Sequence, residues 1–347
     1  MRIAILTLPL GENYGGILQA YALSTYIKSL GHQPIGLNRV ANLQPLWKRV
    51  AHRVLDPILP GVTSAATAAR HTRNIRTFID THIPHTEPIV SPSMMKEIFQ
   101  REHCEALIIG SDQVWRSEYA MKYGYEYFGD FAASGIQKMA YAASFGLSDW
   151  TYTPAQTEQV ASHLQQFQAI SVRERDAVGL CRDHLGIDAV HVLDPTMLLS
   201  PDDYDRVASS RLMDEDYIFV YWLGDRGAMR TAIEELTKTH PLKVVAVNLR
   251  DHVERIPVED WLSYIKHARY VITDSFHGCV FSVLYHKPFR IHMNQAGGTG
   301  RLLSLFAQLC LSEEKINTDT IDYDLVDKAL NDERTLSKDF LQSRLPA

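Results

Sequence analysis

The chain has 347 residues, which is more than one ordinary hydrophobic core supports and suits two domains. Its hydrophobic fraction of 46% is normal for a globular protein, and its net charge of −6 argues against a general nucleic-acid-binding role. The four cysteines are scattered without zinc spacing, so we predict no metal site and a reducing, cytoplasmic setting. The apolar start, Met1–Leu10, is typical of a first strand rather than a signal peptide, and apolar runs stay below the ~18 residues of a membrane span.

Strand and helix patterns alternate from the N-terminus, as in a Rossmann-like unit. The pattern predicts a first strand at Ile3–Leu8 and a helix at Gly15–Leu30, with Gly31 as its C-cap. The other predicted elements of the first half are strands at Pro34–Asn38, Ala106–Ile109, Lys138–Phe145, Ala169–Val172 and Val190–Leu193, and a helix at Pro154–Gln168.

A composition break at Ser200-Pro201-Asp202-Asp203 separates this series from a second one. We therefore predict an α/β protein with two Rossmann-like domains, 1–199 and 200–320, facing each other across a cleft. The tail 321–347 is amphipathic and predicts a terminal helix. The elements of the second half are predicted at Tyr217–Trp222, Ala228–His240, Lys243–Asn248, Val258–Ala268, Tyr270–Thr273, Arg301–Leu309 and Tyr323–Leu345.

A basic stretch lies between residues 48 and 76, inside a segment that reads as helix or loop. Such a stretch could contact an acidic membrane surface or a phosphate-bearing acceptor. The alternative is a solvated helical face without a partner. Its cationic residues are Lys48, Arg49, Arg53, Arg70, Arg73 and Arg76.

The most informative segment is the polar turn Thr273–Gly278, which joins an apolar strand to an apolar helix. A strand, a short turn and a helix present side chains at the carboxyl edge of a parallel sheet, where open α/β folds bind ligands. Asp274 and His277 suffice for proton-transfer chemistry. The alternative is that Asp274 caps the helix and that His277 is satisfied by the backbone.

Four other polar segments follow predicted strands. Asn13-Tyr14-Gly15-Gly16 allows close approach of an anion to a helix N-terminus, or only shapes a turn. Gly110–Trp115 offers Asp112 and Gln113 to sugar hydroxyls and Trp115 to a sugar face, or caps a helix with Trp115 in the core. Arg173 could grip a carboxylate or phosphate, or belong to a solvated charge run. Asp194-Pro195 could be a turn or part of the cleft.

In this order and spacing, the segments resemble the polysaccharide pyruvyl transferase family. The resemblance rests on five segments: Asn13–Tyr21, Gly110–Trp115, Ser171–Glu174, Asp194–Thr196 and Thr273–Gly278. It implies a GT-B-like pair of Rossmann-like domains and transfer of pyruvate from phosphoenolpyruvate onto a sugar as a ketal. The acceptor would be a surface or capsular polysaccharide or its lipid-linked precursor, and no cofactor or metal would be needed.

The resemblance also implies roles for single residues. His277 would transfer a proton or contact the donor phosphate, Asp274 would orient His277 or cap the helix, and Asp112 is a possible base. Many relatives have arginine directly after the aspartate of this turn, where this chain has Ser275. Another cation must then balance the donor. The donor side would include Arg173, Ser275, Gly278 and one of Lys287, Arg290 and Arg301; the acceptor side would include Asn13, Tyr14, Gly15, Gly16, Gln113 and Trp115.

Two other functions fit the same sequence. The first is a glycosyltransferase that uses a nucleotide sugar on the same architecture, although no clear acidic ribose ligand follows residue 217. The second is a non-catalytic glycan-binding relative, which Ser275 in place of an arginine favours. The identity of the released group, phosphate or nucleotide, separates the two enzymes.

Overall fold

A computed structural model describes residues 1–11, 13–40, 72–249, 255–293 and 299–345. The first half forms a six-stranded parallel sheet in the order β2-β1-β3-β4-β5-β6. Its strands are β1 (Arg2–Leu6), β2 (Gln33–Gly36), β3 (Ala106–Ile109), β4 (Gln137–Ala143), β5 (Ala169–Val172) and β6 (Val190–His191). Its longer helices are α1 (Tyr14–Ser29), α2 (Arg73–His82), α3 (Pro92–Arg101), α4 (Pro154–Leu164) and α5 (Arg175–Leu180).

The second half forms a four-stranded parallel sheet in the order β10-β9-β7-β8. Its strands are β7 (Tyr217–Trp222), β8 (Lys243–Asn248), β9 (Tyr270–Thr273) and β10 (Phe289–Ile291). The helices of this half are α6 (Arg226–Thr239), α7 (Val258–His267), α8 (Phe276–Leu284), α9 (Thr299–Gln308) and α10 (Tyr323–Gln342). Shorter helices occur at Ser117–Ala120, Pro201–Asp205 and Glu313–Asn317.

The predicted α/β fold with two Rossmann-like halves and a C-terminal amphipathic helix is confirmed. The central strands are apolar because both of their faces are buried; β3 and β9 have no exposed residue. The largest boundary difference is at the end of α4, which stops at Leu164 rather than at the predicted Gln168. β4 ends at Ala143 rather than Phe145, because Ala142 has a φ of 48° and the pairing with β5 shifts there.

The two halves share one hydrophobic core at the start of α1. Tyr14 is fully buried and stacks on Trp261 of α7, with ring centroids 5.5 Å apart. Its edge meets the ring of Tyr221 at the end of β7, and its hydroxyl donates a hydrogen bond to the carbonyl of Ile256. The N-terminus of the first helix is therefore fixed against the carboxyl edge of the second sheet.

The last helix returns to the first half of the chain. On α10, Ser337 is fully buried and accepts a hydrogen bond from the amide of Leu193, and Gln342 donates one to the hydroxyl of Tyr26. The apolar side of this helix covers the core at Val326, Leu330, Phe340 and Leu341. No helix among the described residues is long and apolar enough to cross a membrane.

Most of the basic stretch 48–76 lies outside the described residues. Only its end is described, where Arg73 begins α2 and Arg76 follows one turn later. The predicted membrane or acceptor contact of this stretch stays a prediction.

Candidate active site

The polar segments that follow the strands meet where the carboxyl edges of the two sheets face each other. The N-terminus of α1 and residues that follow β3, β5 and β6 come from the first half, and His277 at the start of α8 comes from the second. Parallel strands bring their carboxyl ends to one edge, so segments far apart in the chain form one cluster. The members of the cluster are Gly15, Asp112, Arg173, Asp194, His277 and Arg301.

Asp194 is the centre of this cluster. Its Oδ1 accepts hydrogen bonds from the amide and hydroxyl of Thr196, at 3.0 and 2.7 Å. Its Oδ2 lies 2.7 Å from Nη1 of Arg173 and 3.6 Å from Nε2 of His277. Burial opposes ionisation, but His277 and Arg173 outweigh it and hold the pKa of Asp194 far below its usual range. Asp194 is thus ionised at neutral pH and links the two halves.

Arg173 is held between two carboxylates. Its Nη2 donates to Oδ1 of Asp112 at 3.0 Å while its Nη1 donates to Asp194, and its side chain is 1% exposed. The guanidinium also lies over the ring of Phe276, 4.8 Å from the centroid. Asp112 is ionised despite burial, because Arg173 and then His277 lower its pKa. In this conformation Arg173 orders the site, and a donor would have to displace a carboxylate to reach its two Nη groups.

His277 occupies the place that a side chain at residue 15 would need. A Cβ atom on Gly15 would overlap the imidazole ring, so the absence of a side chain there lets the histidine pack on α1. The Nε2 of His277 is buried and has no hydrogen-bond partner among the described residues. His277 therefore places a buried imidazole at the contact between the halves, with the carboxylate of Asp194 3.6 Å from its Nε2.

The turn that carries His277 is tight for a definite reason. A Cβ on Gly278 would overlap the side chain of Thr273, so only glycine allows this close approach. Ser275 caps α8, since its Oγ accepts from the amide of Gly278 and its own amide donates to Thr273 Oγ1. Ser275 thus has a structural role at the position where the family resemblance led us to expect an arginine.

Arg301 brings a second cation to the cluster from α9. It is half-buried; burial lowers its pKa, the nearby positive charge of Arg173 lowers it further, and Asp112 and Glu174 oppose these effects. Within the part of the chain that the structure describes, Arg301 forms no ion pair, and its buried Nε has no hydrogen-bond partner. Of the three downstream cations that the sequence proposed, Arg301 is the one beside the site.

Glu174 lies beside Arg173 and is buried. Its Oε1 accepts hydrogen bonds from Ser144 Oγ and from the amides of Phe145 and Gly146. Its Oε2 is buried without a partner among the described residues. Burial raises the pKa of Glu174, and the neighbouring Arg173 and Arg301 offset this only in part. Glu174 is therefore a carboxyl that gains a proton more easily than an exposed glutamate.

The predicted acceptor-side residues of the first half make different contacts near the carboxyl edge of the first sheet. Asn13 caps α1 by accepting hydrogen bonds from the amides of Gly15 and Gly16. Gly16 approaches Asp112, whose Oδ2 lies 3.7 Å from where a Cβ would stand. Gln113 accepts a hydrogen bond from Arg116. Tyr14 faces the core rather than the cleft.

The predicted ligand contacts of three more residues disagree with the structure. Trp115 is fully buried against Phe128 and donates its Nε1–H to the carbonyl of Tyr127, so it packs in the core and presents no face to a sugar. Lys287 precedes β10 and therefore lies at the amino edge of the sheet, opposite the cluster. Arg290 is paired with Asp319.

Asp274 has a different role from the predicted one. Its two carboxylate oxygens accept from the amides of Leu223 and Gly224, both at 2.7 Å, in the loop after β7. It neither hydrogen-bonds His277 nor caps α8, because its oxygens are used by a loop about fifty residues earlier. The carboxylate beside His277 is Asp194, whose importance the sequence left open. Glu174 and Thr196 were not predicted individually, although both lie in segments that carry the family resemblance.

No group of three or more histidine, cysteine or acidic side chains suited to a metal ion occurs among the described residues.

Comparisons with known proteins identify the family and the fold. A family model described as polysaccharide pyruvyl transferase matches residues 13–291. No curated protein matches the chain.

Solved structures show the same fold at low sequence identity. UDP-N-acetylglucosamine 2-epimerase from Neisseria meningitidis, bound to UDP-N-acetylglucosamine, has a TM-score of 0.52 at 10% identity and covers 97% of this chain and 100% of its own. A putative epimerase of the same kind from Listeria monocytogenes has a TM-score of 0.52 at 9% identity, with 96% and 90% covered. MnaA from S. aureus with UDP has 0.51 at 12%, with 97% and 90% covered. The fold is GT-B-like.

Proposed function

Because the chain belongs to the polysaccharide pyruvyl transferase family, we propose that it transfers pyruvate from phosphoenolpyruvate onto a sugar as a ketal. The acceptor would be a polysaccharide or its lipid-linked precursor. The observation that carries the proposal is the His277–Asp194 pair between the halves, with Arg301 beside it, a cation that forms no ion pair with the described residues. The pair supplies a proton to the donor, and the cation balances the donor's charge.

Anion binding is the first requirement, since phosphoenolpyruvate carries a carboxylate and a phosphate. Arg173 is already neutralised by Asp112 and Asp194, so Arg301 is the cation available to the donor. The N-termini of α1 and α8 meet at His277, and the positive ends of their dipoles add to the attraction. Arg301 would thus supply the positive charge that the family resemblance led us to expect at position 275, where this chain has a serine.

Proton transfer is the second requirement. The C3 methylene of the donor gains a proton, which leaves a positive centre at C2. We assign this proton to the imidazole of His277, whose Nε2 lies 3.6 Å from the carboxylate of Asp194. A sugar hydroxyl then bonds to C2 and returns its proton to His277. The C2–O bond to phosphate breaks, and a second hydroxyl closes the ketal and releases the last proton to the departing phosphate.

Asp112 is a weaker candidate for the base than its position in the sequence indicated. Arg173 and His277 keep its pKa low despite burial, and a carboxylate held this way accepts a proton poorly. Its role in the proposal is to hold Arg173. Asn13, Gly16 and Gln113 remain on the acceptor side as proposals.

A donor assay tests the function. The protein is incubated with phosphoenolpyruvate or with nucleotide sugars, each with a panel of free and lipid-linked glycans, and released phosphate, released nucleotide and glycan mass are measured. We expect phosphate release with a matching mass gain on one glycan. Nucleotide release would establish a glycosyltransferase instead. Glycan binding without turnover of any donor would establish a non-catalytic relative.

A matched pair of variants tests the donor cation. Arg301→Gln should raise the KM for phosphoenolpyruvate by about tenfold or more, as expected for a lost charged hydrogen bond of roughly 1.5–3 kcal/mol. Lys287→Gln removes the same charge at the opposite edge of the sheet and should leave KM unchanged. Equal effects of the two changes would refute the assignment of Arg301.

A further inference from the structure

The segment 193–197, which carries Asp194, is held by hydrogen bonds from outside the sheet. Val192 still donates to Val172 of β5, but the amide of Leu193 has left the ladder and is buried. A buried amide without a partner costs free energy, so this group needs an acceptor. Ser337 on α10 supplies it, with its Oγ 2.9 Å from the Leu193 nitrogen.

Both peptide groups of Leu193 are fixed in this way. While Ser337 binds the amide, the hydroxyl of Tyr141 donates to the carbonyl at 3.0 Å. The Ser337 hydroxyl is itself oriented, because it donates to the carbonyl of Glu333 at 2.7 Å and so presents a lone pair to Leu193. The backbone immediately before Asp194 therefore has little freedom to rotate.

The far end of the segment is held by the same helix. Nε of Arg334, one turn of α10 from Ser337, donates to the carbonyl of Met197 at 2.7 Å. Between these two anchors the hydroxyl of Tyr204 donates to the carbonyl of Thr196 at 2.7 Å. The C-terminal helix thus binds the segment on both sides of Asp194, and α10 lies beyond residue 291, where the family match ends.

We propose that Ser337 is a positioning residue that fixes Asp194 for its interaction with His277. The proposal rests on the proposed function, in which that interaction supports proton transfer. The carboxylate of Asp194 divides its contacts between Arg173 at 2.7 Å and His277 at 3.6 Å. A small rotation of the preceding peptide changes this division, because the carboxylate moves with the backbone. Misplacement of catalytic groups by about 1 Å can cost on the order of 100-fold in rate.

Kinetics of Ser337→Ala test the proposal, with Thr335→Ala as the matched control. Thr335 makes the same bond to the carbonyl four residues earlier, but it is exposed and its hydroxyl contacts nothing outside the helix among the described residues. Ser337→Ala should lower kcat roughly tenfold and change the KM for phosphoenolpyruvate less than about twofold, whereas Thr335→Ala should change neither. Ser337→Thr, which keeps the hydroxyl, should restore most of kcat. A kcat for Ser337→Ala equal to that of the control would overturn the proposal.

Hydrogen–deuterium exchange of the same variants gives a readout that does not depend on turnover. Ser337→Ala should speed exchange in a peptide spanning residues 190–199 and leave the peptide of β3 unchanged; unchanged exchange at 190–199 would overturn the proposal. If the wild type releases no phosphate from phosphoenolpyruvate, the proposed function fails, and exchange alone decides whether Ser337 holds the segment. If Ser337→Ala does not fold, Arg334→Met replaces it, with a drop in kcat of about threefold expected and no drop contradicting the proposal.

Discussion

At the scale of single residues, the site depends on glycine as much as on charge. His277 packs on Gly15, and Gly278 fits under Thr273, so two glycines set where the imidazole stands. The charged residues around it are mostly paired with each other. Arg173 serves two aspartates, which leaves Arg301 as the cation that we assign to the donor.

The contact between Gly15 and His277 gives a sharp prediction. Gly15→Ala should reduce kcat by about 100-fold, because the new Cβ would displace the imidazole. Gly179→Ala is the control, since Gly179 lies in α5 outside the cluster and its Cβ would have no neighbour closer than Asp183 Oδ2 at 4.0 Å. Both glycines lie in helices, where alanine is favoured over glycine by up to about 1 kcal/mol. Steady-state kinetics decide the matter, and similar activity of the two variants would be inconsistent with this packing.

Only some of the individual residues of the site could be predicted from the sequence. His277 was found because a strand, a polar turn and a helix form a local pattern. Arg301 was one of three candidates, because local sequence does not say which edge of the sheet a side chain reaches. Trp115 was placed wrongly, since an aromatic residue after a polar turn can face either a ligand or the core. Asp194 was left undecided, because its partners Arg173 and His277 are distant in the chain.

At the scale of elements, the strand-to-helix turn after β9 is tied to the loop after β7. Asp274 makes this connection with both of its oxygens, each accepting one backbone amide at 2.7 Å. Burial raises the pKa of Asp274, and the two amides counteract this. The contact fixes the loop beside the turn that carries His277, so the predicted catalytic aspartate is better explained as a structural one.

Replacing Asp274 by asparagine should therefore destabilise the protein. The asparagine NH2 group would face one of two amide donors, so one hydrogen bond is lost and a buried donor is left unpaired, at a cost of about 1–3 kcal/mol in the free energy of unfolding. Asp322→Asn is the matched control, because Asp322 caps α10 through one oxygen and asparagine caps equally well. Urea unfolding of both variants measures the difference, and an Asp274→Asn variant as stable as the control would argue against this role.

At the scale of the whole molecule, the two halves are joined by a shared core and by a charged cluster. The stacking of Tyr14 on Trp261 and the return of α10 to the first half fix the carboxyl edges face to face. The strands were predicted well because strands buried on both faces read as apolar runs, and the order of β and α elements then limits the topology. The packing of α10 on residues 193–197 was not predictable, because amphipathicity shows that a helix packs but not where.

The charged cluster predicts a dependence of stability on acid. Asp112 and Asp194 have pKa values below the usual value of about 3.9, so their stabilisation is complete above that pH and is lost as the pH falls through their folded-state pKa values. As the pH falls below about 4, the free energy of unfolding should drop by at most roughly 1.4 kcal/mol per pH unit for each group. Asp112→Asn should remove the contribution of one group from the slope of unfolding free energy against pH. Urea unfolding at several pH values measures this slope. An unchanged slope would show that Asp112 is not ionised in the folded protein.

The most direct test of pyruvyl transfer by protonation at C3 is to run the reaction in D2O and analyse the modified glycan by mass spectrometry. Proton transfer from His277 to the donor methylene predicts one deuterium in the methyl group of the ketal, together with release of inorganic phosphate. A product without deuterium in that methyl group, or no pyruvylated glycan with phosphoenolpyruvate as donor, would contradict the account.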